Sequence, residues 1–229
     1  MIRESLKSRG YHVGVRFGPP AVFDKQKRQG FQIKMSEGFD WRRQEFNEHA
    51  WVLASPQADG DQRSQMKLTL QPDLLNFEEY FPISTFDLFL DNLKLILTGL
   101  VDSFAPRVLM GSGSMIRLTV NAPGGDSRLF LGNRCLNLQE RLTPLNRPVH
   151  ALGLRFVLPP IDTGGQPTWQ GEIKIESLVE DVSQLFVEVD AKWAVPQAWS
   201  IDTVVDRAKI AHEFATERVV SFLEQFESA

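Results

Sequence analysis

The sequence predicts an α+β fold, an antiparallel sheet carrying two long helices packed on one face, and three observations predict it. Short segments rich in Val, Ile, Phe and Trp come in runs and do not alternate with helical segments, which argues against a parallel βαβ architecture. Two long stretches, 86–104 and 200–226, repeat apolar residues at helical spacing. The segment "GVRFGPPAVF" (14–23) is echoed by "GLRFVLPPID" (153–162), which divides the 229 residues into two related strand–strand–strand–helix halves, 1–106 and 107–229, of a single unit.

The elements follow in order. After the echo come "QGFQIKMSE" (29–37) and "QGEIKIES" (170–177), then "EFNEHAWVLASP" (45–56) and "LFVEVDAKWAVP" (185–196), so each half offers three strand-like segments. The first half adds a strand pair in "SQMKLTLQPDLLNFEEYF" (64–81). Its helix follows "PIST" (82–85), where Ser84 and Asp87 suit a capping box, and Phe86, Phe89, Leu93, Leu97, Leu100 and Phe104 form one stripe up to Pro106. The second half opens on a strand, "LMGSGSMIRLTV" (109–120), where Gly111 and Gly113 mark a kink or bulge, and "NAPGGDSR" (121–128) reads as a turn into another short strand. The last helix starts at Ser200 and keeps Val204, Ala208, Ala211, Ala215, Val219, Phe222 and Phe226 on one stripe. Some 26 helical residues reach about 40 Å, enough to cross the whole sheet.

Composition sets the class. With 42% hydrophobic and 24% charged residues the chain is an ordinary globular one, long enough to fold without disulfides or a structural metal. The start "MIRESLKSRG" has no apolar leader, and the longest apolar stretch, "LKLILTGLV" (93–101), is short and contains Lys94. A cytoplasmic protein without membrane association is the expectation. The single cysteine, Cys135, forms no internal disulfide and fits a reducing compartment.

Motifs for chemistry are scarce. "GSGS" (111–114) lacks the Lys-Ser/Thr of a P-loop, and "PGGDSR" and "DTGGQP" fit turns. His12, His49, His150 and His212 contain no i, i+4 pair and no Cys–His cluster, so no metal and no cofactor are expected. No nucleophile elbow occurs. Glu188 and Asp190 share one face of a strand, where a solvated surface is the simpler reading. No catalytic residue is assigned.

Charge is segmented: the balance is +4 over 1–72, −5 over 73–106, +5 over 107–155 and −8 over 156–229. The third segment carries Arg107, Arg117, Arg128, Arg134, Arg141, Arg147 and Arg155, with no lysine from 95 to 173. Arginine's planar fork suits phosphate and carboxylate recognition. Arg117, Arg128, Arg134 and Arg155, with Arg16 as the echo's counterpart of Arg155, are therefore the candidate ligand-binding residues. A sequence pI of about 5.6 disfavours nucleic acid as the ligand, and pairing with the acidic segments is the competing reading. A second basic cluster, Lys25, Lys27 and Arg28 with Trp41, Arg42 and Arg43, reads as a solvated loop or short helix.

The run "MKLTLQPDLLNFEEYFPISTFDLFLDNLKLILTGL" (66–100), with "LFVEVDAKW" (185–193) and "AHEFATERV" (211–219), resembles a sporadically distributed family of uncharacterised bacterial proteins of about this length. The resemblance implies a bacterial, cytosolic α+β protein and no particular chemistry. The Arg-rich stretch between 117 and 155 departs from that pattern. The reading favoured overall is a non-enzymatic binding or accessory protein, acting on a protein partner or by self-association. Its surface would be a groove beside the long helices or a subunit interface, lined by Trp51, Trp193 and Trp199. An anionic-ligand or single-stranded nucleic-acid binder using 107–155 is the first alternative, and a hydrolase or nuclease without a recognisable motif is the second.

Overall fold

Alternation builds the first strand, β1 (Lys7–Gly18), in which Tyr11, Val13, Val15 and Phe17 are buried while His12, Gly14 and Arg16 face the other way. The computed structural model to which it belongs describes residues 2–46, 49–56, 64–163 and 166–227. The chain continues with α1 (Lys25–Gly38), β2 (Arg43–Phe46), β3 (Trp51–Ala54), β4 (Gln65–Leu70), β5 (Leu74–Tyr80) and α2 (Phe86–Phe104). Next come β6 (Val108–Asn121) and α3 (Ser127–Leu129), which runs on as a π-helical turn over Phe130–Cys135. There follow β7 (Gly153–Leu158), a small hairpin of β8 (Asp162–Thr163) and β9 (Gln166–Pro167), β10 (Gln170–Ser177), β11 (Gln184–Trp193) and β12 (Gln197–Ala198). The chain closes with α4 (Ile201–Glu213), a π-helical stretch Phe214–Val219, and α5 (Val220–Glu224).

Ten of the strands form one antiparallel sheet, in the order β2–β3–β4–β5–β1–β6–β11–β10–β7, with β12 paired to the start of β6. The α+β class with an antiparallel sheet is thus the observed one. The strands β1 and β6 pair at the centre of the sheet. On one side of that pair lie β5, β4 and β3, and on the other β11, β10 and β7. Tyr11 of β1 touches both major helices, through Phe86 and Phe89 of α2 and His212 of α4.

The helix ends show which local signals win. Thr85, not Ser84, caps α2 by accepting from the Leu88 amide, because Ser84 turns its hydroxyl to the carboxylate of Glu79 at 2.7 Å. Ser200 caps α4 as its sequence suggests, accepting from Thr203 N. The buried stripe Val204, Ala208, Ala211, Ala215 and Val219 then continues through Val220 and Leu223, the π-helical turns shifting its phase.

Several expected elements differ. Segment 29–37 is helical within α1, where Asp24 caps the first turn and Lys, Gln and Glu favour helix, whereas 170–177 alternates Ile173 and Ile175 as strand β10. Residues 14–18 lie in the central strand β1, and 153–158 form the edge strand β7. Phe46 and Trp51–Ala54 belong to the two strands of a hairpin, whereas residues 186–193 lie in the single strand β11, which ends before Pro196. The echo is a likeness of residue types at unlike positions, and it carries no equivalence between Arg16 and Arg155. "PGGDSR" does turn, at Gly124 and Gly125 with φ of 80° and 77°, but into α3 and not a strand, since Asp126 accepts from the amides of Arg128 and Leu129. "GSGS" is continuous strand within β6, and the expected irregularity falls directly before it, where Arg16 pairs Gly111 and Phe17 pairs Leu109 so that Met110 is the extra residue; a second register shift lies between Ser8 and Gly10 of β1. The tip of "DTGGQP", Gly164 and Gly165, lies outside the described residues.

Candidate functional site

The most apolar hollow described lies between the π-helical stretch Phe214–Val219 with the start of α5 and the β10–β7 end of the sheet. Its floor is Phe156 and Leu158 of β7 with Ile173 and Ile175 of β10, the apolar positions of two alternating strands. Phe214, Val219 and Phe222 form the wall, and the hollow measures about 250 Å³ and opens to solvent. Phe222 meets Phe156 edge-on at 5.6 Å. Trp169, 4.9 Å from Phe214, lies so close on Gly171 that a Cβ there would meet its ring at 2.1 Å. Arg218 is the one charged lining residue, exposed and without an ion pair among the described residues. Beyond β7 the sheet ends, so the outer backbone groups of that strand have no partner within the sheet.

The other face of the sheet is polar and internally paired. Glu188 accepts from Arg117 Nε and from Lys174 Nζ, each at 2.8 Å, and Glu172 accepts from Arg155 at 2.6 Å while Lys174 lies 3.4 Å from it. Register dictates this ladder, because Arg117 stands opposite Glu188, Glu188 opposite Lys174, and Lys174 opposite Arg155. Burial works against ionisation of Glu188, but the bonds from Lys174 and Arg117 outweigh it and hold its carboxyl below the ordinary range.

The five candidate arginines do not gather. Arg117 and Arg155 share the ladder. Arg16 is exposed on the same face, some six strand positions from Arg117's partner Gly10, about 20 Å away. Arg128 is bonded to Asp126 at 2.6 Å and pulls that carboxyl down to about 2. Arg134 donates to the carbonyl of Glu227 at 2.6 Å, tying α3 to the end of the last helix. The three tryptophans also stand apart: Trp51 is buried beneath α1 against Phe31, Trp193 faces Trp169 and Arg207, and Trp199 meets Phe17 edge-on. Burial pushes the Cys135 thiol up to about 11, which disfavours its thiolate. Among the described residues no three His, Cys, Asp or Glu side chains gather as a metal would require, and no helix is long and apolar enough to cross a membrane.

Sequence reasoning named Val219 and Phe222 but missed Phe214 and Arg218. The signal was present as a second stripe, Ile210, Phe214, Arg218 and Phe222, repeating every four residues beside the buried one.

A buried polar cluster lies at the α2–α4 end of β1 and β5. Glu79 is 3% exposed and, among the described residues, accepts from Ser84 alone, and burial raises its pKa above the ordinary carboxylate value. Burial lowers His212, which stacks 3.8 Å from Phe86. A carboxyl raised in the folded state contributes stability at low pH that is lost as pH rises through its folded value. Glu79→Gln is therefore expected to gain stability relative to the parent chain as pH increases from 5 to 8, measured by urea unfolding at each pH. A gap that narrows over that interval would contradict it.

No protein-family model matches the chain, and no curated protein matches it.

Proposed function

We propose that this chain is a non-enzymatic binding protein that receives a segment of a protein partner in the apolar groove between β7, β10 and the C-terminal helix. The single observation that carries this reading is the groove itself, an open hollow with an almost wholly apolar lining beside a free sheet edge. Grooves of this kind suit extended or helical peptide segments better than small polar substrates. The arginine reading is weaker on physical grounds. Arg117, Arg128 and Arg155 each spend their charge on a carboxylate, so a ligand would have to displace an existing partner.

In the same reading the framework consists of two related halves, 1–106 and 107–229, with α2 and α4 on one face. Support comes from the strand order about the central β1–β6 pair and from the contact of Tyr11 with both helices. The sequence echo gives none.

Selection of binders from a random peptide library tests the docking reading. Selected peptides are expected to shift the methyl NMR signals of Ile175 and Val219, and to bind Phe222→Asp at least about tenfold more weakly. Peptides that bind the variant undiminished, or that shift only residues of the polar face, would overturn it.

A further inference from the structure

We propose that the occupant of the groove is an amphipathic helix of a partner protein that carries a carboxylate beside its apolar stripe. This rests on the docking reading above and names the partner's chemistry. Two observations select it.

The first is how the opposite end of the sheet is closed. There the strands β3 and β4 stand as far from the central β1–β6 pair as β7 and β10 do on this side, and α1 fills the space beside α2. Phe31 and Met35 of α1, one turn apart, press on Gly99 of α2 so closely that a Cβ there would meet Met35 Cε at 2.6 Å and the Phe31 ring at 3.4 Å. The Phe31 ring also lies 5.6 Å from Trp51 of β3. The chain thus closes such a space with a helix bearing two apolar anchors at i and i+4. Between β6 and β7 the corresponding helical segment, α3 with its π-helical turn, buries Phe130 and Leu131 and touches β10 but lends no residue to the hollow, and Phe156 and Leu158 of β7 stay half-exposed opposite Phe214 and Phe222.

The second is Arg218. Its neighbour Glu217 is engaged by Arg3 at 2.6 Å, so among the described residues Arg218 has no compensating carboxylate at the rim of an otherwise apolar lining. A carboxylate on the incoming helix completes it with a charge-assisted bond, while a cation at that place is repelled.

Three synthetic peptides of about 16 residues, between four and five helical turns, test the assignment on the full chain. One carries Phe and Leu at i, i+4 and i+7 with glutamates alongside, one has lysines for the glutamates, and one is the acidic peptide with two central prolines. Fluorescence anisotropy is expected to show the acidic helix binding at least about tenfold more tightly than either of the others, with methyl shifts at Ile175 and Val219. Arg218→Glu is expected to reverse the charge preference without changing the melting temperature, since Arg218 is exposed and without an ion pair among the described residues. If the lysine or proline peptide occupies the groove as tightly as the acidic helix, or if Arg218→Glu leaves the preference intact, docking stands and the acidic-helix assignment falls. The assignment also falls if decanoate shifts the same methyls while no peptide does, or if dilution alone shifts them as a second copy leaves. If neither these peptides nor any from the library reach the groove, both readings fall.

Discussion

Phe89→Ala is expected to destabilise the fold by about 3–5 kcal/mol, the cost of a large buried ring plus the cavity it leaves. Phe89 of α2 is 0% exposed and stacks on Phe77 of β5 at 4.9 Å with the planes 8° apart. It also meets Tyr11 of β1 at 5.2 Å, so one ring joins a helix to two strands of the sheet. Truncation removes all of these contacts at a place where three elements hold the walls apart. Leu88, one residue earlier and 50% exposed, provides the contrast. Leu88→Ala should stay within about 0.5 kcal/mol of the parent chain. Urea unfolding measures both, and a Phe89→Ala loss below about 1 kcal/mol would contradict the packing described.

Glu188→Gln is expected to cost about 1–3 kcal/mol at pH 7. The carboxylate is 8% exposed and holds both Arg117 and Lys174, whose side chains are 36% and 37% exposed. Solvent can reach the two cations once the anion is gone, which keeps the loss below that of a fully buried pair. The sign of the pH dependence follows from the depressed carboxyl. It contributes stability above the ordinary glutamate value, lost as pH falls through the lower folded value. The gap between the parent chain and the variant should therefore be widest near neutrality and close in acid. A gap that is constant from pH 7 to pH 3 would show that Glu188 acts by shape alone.

The sequence carried the fold class because its two strongest signals are local. The stripe from Phe86 to Phe104 and the Ser200 cap depend on neighbours within a turn or two, and both were legible. The failures have local causes as well: Phe31 and Met35 fit either a strand or a helix by spacing, and only Asp24 and the polar helix formers around them decide. Asp126 similarly converts a turn into α3 by capping it. The candidate site was less legible, since its floor and wall lie some 40 to 65 residues apart in sequence, at Phe156 and Ile175 and at Phe214 and Phe222. The arginines were visible as a series, but their partners are fixed by register across β6, β11, β10 and β7, which no composition reveals.

The central place of β1 bears on synthesis. Its two neighbours in the sheet are β5 and β6, so one hydrogen-bonding edge of β1 can pair once Leu74–Tyr80 has been made, while the other stays open until residues up to Asn121 have been made. At ribosomal rates that interval of roughly a hundred residues lasts about 5–20 s. During that time the nascent chain exposes an alternating strand that any other unpaired strand can join. Crowded translation, more than the finished protein, is where this architecture is open to aggregation and to the help of chaperones.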